Sequence, residues 1–221
     1  MARLTAQDMV EMVRDYCGGE TSETLSDTRL LRFLNQAYME VCSRYRFDQL
    51  STSETLTMVS GTASYELANS DHLYIDNVVD DTSNIPIDAI SKNQYQQWTS
   101  GSSVSGTPVY WFLNGVGSNN RYQLTFYPTP NNTDSVIVYY TKEPTALVLS
   151  PTATSMYIPE PWDDVVVHKA TQRAWRMLGD MQMSMQWAGA TRDIEDAAKR
   201  TTYQVSSVPL RLGSVVGQAC R

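Results

Sequence analysis

The side chains that could do acid–base or metal chemistry in this chain of 221 residues are few and widely spaced. The two histidines, His72 and His168, have no partner at the H-x-x-x-H or H-x-x-E-H spacing that places ligands on one helix face. Asp163 and Asp164 could serve as an acid–base pair. Adjacent helical residues point in different directions, however, and the dipole at a helix start explains two acids there. We interpret all four residues as structural.

The other motifs that could carry chemistry fail on spacing. Asp76, Asp80, Asp81 and Asp88 resemble scattered calcium ligands but lack the D-x-[DN]-x-[DN]-G order of a calcium loop. The segment 115–117 lacks the third glycine of a dinucleotide-binding loop and does not precede a predicted helix. No G-x-S-x-G nucleophile elbow is present. We therefore expect no catalytic residue, no metal and no cofactor, and we expect that the protein is not an enzyme.

Cysteine spacing and hydropathy exclude further classes. Cys17, Cys42 and Cys220 contain no C-x-x-C pair, so they predict packed thiols and not a disulfide framework. Residues 1–10 lack the apolar core of a secretory signal, and no stretch approaches the roughly 18 apolar residues of a membrane span. We expect neither a signal peptide nor a membrane partner.

Charge is distributed unevenly along the chain, whose net charge is −7. Residues 48–166 carry 13 acids and 3 bases, whereas residues 167–221 carry 4 acids and 8 bases. The acidic middle would repel a polyanion and the basic end would tolerate one. Nucleic acid wrapped over the whole surface is therefore not expected.

Hydrophobic periodicity predicts two helices, then strands, then two helices. The first helix opens with a capping box from Thr5 to Asp8 and ends at Gly18-Gly19. The period changes to two after the second helix, at about residue 49, and a hairpin is predicted across residues 60–61. A third helix begins at 159–161 and is broken or bent near residue 179, and a fourth runs to about residue 203.

Each helical pair alone has too little area to bury its apolar stripe, so the simplest solution packs the two pairs together. We predict an α+β fold, in which the N- and C-terminal helix pairs form a four-helix bundle with an inserted antiparallel β domain. The predicted domains are a discontinuous helical bundle at 1–50 and 156–204, an inserted β domain at 51–155, and an extended C-terminal tail at 205–221.

Three groups of residues are candidates for contact with a partner. Tyr110, Trp111 and Phe112 cannot all point inward on one strand, so Tyr110 and Trp111 are interface candidates. Met183 belongs to a methionine-rich segment that suits either a core or an adaptable partner surface. The C-terminal tail is either a docking segment for a partner, such as a portal protein, or an unstructured terminus. Its candidate docking residues are Leu210, Arg211, Leu212, Val215 and Val216.

Six segments in a fixed order carry a family resemblance. They are LTAQDMVEMVRDYCGG, LLRFLNQAYMEVCSRYRF, TLTMVSGTASYEL, GTPVYWFLNG, LTFYPTPNNTDSVIVYYTKEP and IPEPWDDVVVHKATQRAWRMLGD. Taken together, they resemble the head-to-tail adaptor proteins of tailed bacteriophages, also called connector or head completion proteins. The resemblance covers roughly residues 3–203.

The resemblance implies a structural virion protein at the head–tail junction, made in the host cytoplasm and without a catalytic motif. It implies a homo-oligomeric ring of twelve copies that binds the portal protein, extends the DNA channel and docks the tail or nozzle proteins. Genomic DNA would pass through the ring without sequence-specific binding. Our hypothesis is that the acidic β insertion lines the lumen and repels the DNA backbone.

Two other functions remain open at this point. The aromatic residues of the strand region could be stacking platforms of a glycan- or ligand-binding β module on a helical support. That reading predicts a monomer or small oligomer with affinity for sugars. The other is a small enzyme with an unfamiliar site, although no His, Cys and acid set converges in the sequence.

Overall fold

A computed structural model describes residues 3–19, 24–99, 104–117, 119–150 and 156–206. The chain divides into two compact units. The helical unit comprises Met1–Ala37 and Leu147–Arg221, and the β unit comprises Tyr38–Ala146.

The described residues form five α-helices, which are α1 (Ala6–Tyr16), α2 (Asp27–Arg44), α3 (Lys92–Thr99), α4 (Pro161–Leu178) and α5 (Met181–Ser206). They also form nine strands, which are β1 (Ser51–Thr57), β2 (Ser64–Glu66), β3 (His72–Asp80), β4 (Pro86–Ala89), β5 (Ser105–Gly106), β6 (Tyr110–Val116), β7 (Tyr122–Tyr127), β8 (Thr129–Pro130) and β9 (Ser135–Lys142). No helix in these ranges is long and apolar enough to cross a membrane.

The start of α1 has the predicted capping box. The Asp8 amide donates to the Thr5 hydroxyl at 3.2 Å, and the Thr5 amide donates to the Asp8 carboxylate at 2.8 Å. These two bonds satisfy amide groups that a helix start otherwise leaves without partners. Beyond the other end of α1, Gly18 has a φ of 83°, a left-handed conformation that glycine adopts without a steric penalty. Met9 and Val13 are buried, as the apolar stripe predicts.

Helices α4 and α5 form an antiparallel pair in the helical unit. Pro161 is at the start of α4, and Gly179 ends the helix with a φ of 85°, so the predicted break is confirmed. Trp162 in the first turn of α4 is buried, and its indole donates to the Thr202 hydroxyl of α5 at 2.8 Å. Helix α1 packs on α4.

Strand pairing departs from the predicted hairpin. The sheet order is β1-β9-β3-β4-β6-β7-β2, so β1 and β2 lie at opposite edges of one seven-stranded sheet. Strand β1 pairs with β9 from Ser51 opposite Thr141 to Thr57 opposite Ser135, and β2 pairs with β7. The hairpin prediction is therefore wrong, because alternation and a turn signal identify strands but not their partners.

The short link between the edge strands requires the sheet to curl. Thr57 and Ser64 are joined by seven Cα–Cα steps, which span at most about 25 Å. A flat sheet with seven strands would separate its edges by about 29 Å. The curled sheet encloses a core cluster of buried residues, namely Met58, Leu67, Val78, Ile87, Trp111, Leu124, Phe126, Val136 and Val138.

The predicted four-helix bundle is wrong, although the α+β class is confirmed. Helix α2 crosses the boundary between the units, and its buried Tyr38, Val41 and Cys42 belong to the β unit. Helix α3 also lies in the β unit, which leaves α4 and α5 as the main helix pair. An apolar stripe indicates which face of a helix is buried but not which element covers it.

The prediction of an antiparallel β domain is also wrong. Strand β4 pairs with β6 in parallel, and the short β5 pairs with β8 in parallel, so the sheets are mixed. Parallel neighbours need a long crossover connection. Between β4 and β6 the chain includes α3 and β5, and this connection leaves no turn signal that would identify the pairing.

Candidate functional site

The acid–base candidate of the β unit, His72, lies in a buried polar cluster. Its Nε2 atom lies 3.5 Å from the Glu54 carboxylate, and its ring lies 4.0 Å from that of Tyr140. The Glu54 carboxylate accepts hydrogen bonds from the amides of Ala68 and Asn69 at 3.2 Å. Burial lowers the pKa of His72, although Glu54 opposes this shift. The cluster therefore holds a neutral imidazole and anchors backbone amides.

In the helical unit, His168 packs among aromatic rings. The centroid of its ring lies 5.7 Å from that of Tyr16 and 4.9 Å from that of Trp187. Burial lowers the pKa of His168, so its neutral form is favoured. These contacts are typical of a packed histidine and not of a ligand.

Asp163 and Asp164 are separated by their environments. Asp163 is buried and Asp164 is exposed. Arg3 reaches Asp163 through Nε and Nη2 at 3.4 and 3.3 Å, and its Nη2 also donates to the Ile158 carbonyl. Burial raises the pKa of Asp163, and the hydrogen bond from Arg3 opposes that rise. The pair fastens the N-terminal segment to the start of α4. In the described ranges, no group of three or more His, Cys, Asp or Glu residues could hold a metal ion.

The structure places three of the predicted interface residues. Tyr110 is half-buried on β6, whereas Trp111 next to it is buried in the core cluster. Phe112 is buried too, because the ring of Tyr95 on α3 lies 4.7 Å from it and covers the other side of the strand. Met183 is half-buried near the start of α5. The structure places Tyr110 and Trp111 in the β unit and Met183 in the helical unit.

The five tail candidates, Leu210, Arg211, Leu212, Val215 and Val216, lie outside the described residues. Of the predicted tail at 205–221, residues 205 and 206 form the end of α5. The interface roles of the tail residues and of Tyr110, Trp111 and Met183 stay predictions.

An open cleft in the helical unit provides a site that the sequence analysis did not identify. Its volume is about 830 Å³, and one side of α2 and one side of α4 border it. Each helix contributes two arginines and one apolar residue at the i, i+3, i+4 spacing that places side chains on one face. We call it the arginine cleft, and its defining residues are Arg29, Arg32, Phe33, Arg173, Arg176 and Met177.

The charge of the arginine cleft is concentrated and not neutralised from within. Among the described residues that line it there is no Asp or Glu. Asp27, the nearest acid on α2, forms an ion pair with Arg14 instead. Arg32 and Arg176 are exposed to solvent. Guanidinium groups hold carboxylates and phosphates through paired hydrogen bonds, so this cleft is suited to an anionic partner.

A sequence signal for the cleft existed but was incomplete. The spacing of Arg29, Arg32 and Phe33 predicts one face of α2, and that of Arg173, Arg176 and Met177 predicts one face of α4. No pattern relates two faces that are about 140 residues apart in the chain. Tertiary packing within the helical unit brings them together.

The family relationship extends over both units. A family model described as SU10 adaptor protein matches residues 4–213. No curated protein matches the sequence. The family match confirms the resemblance to phage head-to-tail adaptor proteins. The chain therefore belongs to the SU10 adaptor protein family, and it is a structural adaptor protein of a bacteriophage.

Proposed function

We propose that this chain forms a ring of twelve copies beneath the portal, extends the DNA channel and docks the tail or nozzle. Its role is structural, without catalysis or a cofactor, and its place is the head–tail junction of the virion. The observation that carries this proposal is the family match over residues 4–213, which includes the whole β unit.

Charge in the β unit supports a channel that does not hold DNA. Residues 38–146 carry 11 acids and 5 bases. A wall of the same sign as the DNA backbone repels it and offers no cations for counterion release. In this proposal genomic DNA slides through the ring without sequence-specific contacts.

Negative-stain electron microscopy of the full chain, alone and mixed with the portal protein of the same phage, tests the proposal. We expect rings with twelve-fold symmetry, stacked on the portal in the mixture. A chain that neither forms rings nor binds the portal would contradict it. A monomer or small oligomer that binds sugars would support the alternative of a glycan-binding β module.

The C-terminal tail provides a second test of the same role. We propose that residues 205–221 fasten the adaptor to the portal, because they combine apolar residues with Arg211 and Arg221. A chain truncated after residue 204 should bind the portal more weakly in co-sedimentation. Undiminished portal binding by the truncated chain would refute this role of the tail.

A further inference from the structure

The arginine cleft requires a partner that is both anionic and able to contact apolar side chains. Four guanidinium groups surround it, and Phe33 and Met177 contribute apolar surface to the same lining. Met177 is 39% exposed. A protein surface with several carboxylates meets both demands, because arginine pairs with carboxylates in a fixed geometry and apolar contacts fill the remaining area.

The β unit of the same chain carries such carboxylates at one end of its sheet. Strand β3 ends at Asp80, and the amide of the following Asp81 donates to the Ser135 carbonyl at 3.0 Å. Asp134 is therefore beside Asp81, just before β9 begins. We call Asp80, Asp81 and Asp134 the acidic tip. The segments that meet there, 55–62, 77–87 and 131–138, contain no Lys or Arg.

The acidic tip is a held turn and not a loose loop. Asp80 Oδ1 accepts bonds from the amides of Thr82 and Ser83 at 3.0 and 2.7 Å. The Asn84 amide donates to the Asp80 carbonyl at 2.9 Å, and Asn84 has a φ of 55°. These hydrogen bonds lower the pKa of Asp80, so its carboxylate stays ionised. A turn held in this way loses little conformational entropy when it binds.

We propose that the acidic tip of one copy docks into the arginine cleft of a neighbouring copy. The two surfaces are different, so the contact is heterologous, and repetition of such a contact closes a ring when the rotation allows. The inference deepens the ring of the proposed function and rests on it. It assigns the side-to-side contact between subunits to these two surfaces.

Two other occupants fit the cleft less well. The C-terminal segment 207–221 contains Arg211 and Arg221 and no acid, so it would meet like charge. DNA would leave Phe33 and Met177 without apolar contacts, and a chain of net charge −7 repels it at a distance. Both occupants are distinguishable by experiment.

Exchange of the two charges between copies is the sharpest test. The cleft variant Arg32→Glu/Arg176→Glu keeps its acidic tip, and the tip variant Asp81→Lys/Asp134→Lys keeps its cleft. Alone, each variant places like charges together, and we expect its self-association in sedimentation velocity to weaken at least tenfold relative to the wild type, roughly the effect of one lost charge pair. An equal mixture restores one fully native contact and exchanges the charges in the other. We expect the mixture to associate at least about tenfold more tightly than either variant.

Matched controls carry the same change of charge elsewhere. Arg192→Glu/Arg200→Glu alters two exposed arginines of α5 outside the cleft, and it should associate like the wild type. All reversed residues of the cleft variant are exposed, so its circular dichroism and thermal midpoint should match the wild type. A dependence of association on concentration separates a second copy from the chain's own Glu20 and Glu23, which precede the cleft in sequence.

Several results would overturn the inference. These are a wild-type chain that stays monomeric at every concentration and salt level, a mixture no tighter than its components, and control variants that lose as much association. Binding of duplex DNA that only the cleft variant loses, with self-association unchanged, would assign the cleft to nucleic acid. Rings of the cleft variant on the portal, identical to those of the wild type, would leave the proposed adaptor function intact and refute only this contact.

Discussion

Arg3→Met removes the cation that contacts the buried carboxylate of Asp163. The Asp163 side chain is 3% exposed and that of Arg3 is 35% exposed. The substitution keeps an unbranched side chain of similar length, so it removes two hydrogen bonds to the carboxylate and one to the Ile158 carbonyl with little loss of packing.

The expected loss follows from the burial of the acid. A buried acceptor left without its donor costs about 1–3 kcal/mol, and more if it is charged. Removal of one partner of a fully buried ion pair costs about 3–5 kcal/mol, but Arg3 is one-third exposed, so that range is an upper limit. We expect Arg3→Met to lower the free energy of unfolding by about 2 kcal/mol, which lowers the thermal midpoint by about 4–8 °C.

The pH dependence identifies the cause of the loss. Burial raises the pKa of Asp163 in the folded chain above its ordinary value of 3.8, and Arg3 limits that rise. A group with a raised folded pKa stabilises the fold most at low pH, and this contribution is lost as the pH rises through the folded pKa. Without Arg3 the folded pKa rises further. The deficit of Arg3→Met is therefore complete at neutral pH and shrinks on acidification.

Urea unfolding of four chains measures the effect: the wild type, Arg3→Met, Asp163→Asn and the double variant. The neutral amide is cheaper to bury than a carboxylate, so the double variant should be more stable at neutral pH than Arg3→Met alone. Arg192→Met, at an exposed site on α5, is the matched control and should stay within about 0.5 kcal/mol of the wild type. A double variant no more stable than Arg3→Met, or a deficit independent of pH, would refute the reasoning.

Three further predictions concern single side chains. Gly179→Ala places a side chain at a φ of 85° and should cost about 1–2 kcal/mol in thermal unfolding. Cys42 should resist alkylation in the folded chain, read by peptide mass spectrometry, because burial raises the pKa of its thiol to about 12. The lowered pKa of His72 means that its contribution to stability is present above its ordinary pKa of 6.5 and is lost as the pH falls through the folded value. His72→Gln should therefore lose less stability on acidification in urea unfolding than the wild type.

Each of these predictions has an internal control. Gly189→Ala lies inside α5 with open space at the new Cβ atom, so it should be neutral or stabilising, and an equal loss at both glycines would contradict the argument from backbone conformation. Cys42 should react once the chain is unfolded, and rapid alkylation of the folded chain would refute its burial. If His72→Gln and the wild type lose stability in parallel on acidification, then another group carries the pH dependence.

Local elements of the fold were predictable because short-range patterns encode them. The capping box of Thr5 and Asp8 and the break at Gly179 follow from hydrogen bonding and backbone conformation within a few residues. Strand partners were not predictable in this way. The alternation in β1 and β2 is compatible with a hairpin, and only the competition among all strands assigns β1 to β9 and β2 to β7.

Candidate site residues divide along the same line. The sequence identified Tyr110 and Trp111 as aromatic neighbours on a strand, but the packing of α3 and the core cluster decides that Trp111 is buried. His72 and Asp163 were correctly interpreted as structural residues, although their partners Glu54 and Arg3 are distant in the chain. Ion pairs of this kind depend on tertiary contacts that no spacing rule contains.

The sequence by itself determined the helix boundaries that its caps and glycines mark, the α+β class, the uneven charge and the family. Each of these depends on local pattern, on composition or on an ordered set of segments. Only the tertiary structure decided that α2 does not complete a bundle, that the sheet curls with β1 and β2 at its edges, and that four arginines border one cleft. The physical reason is that an apolar or charged face is a property of one element, whereas the surface that covers it is selected by packing among all of them.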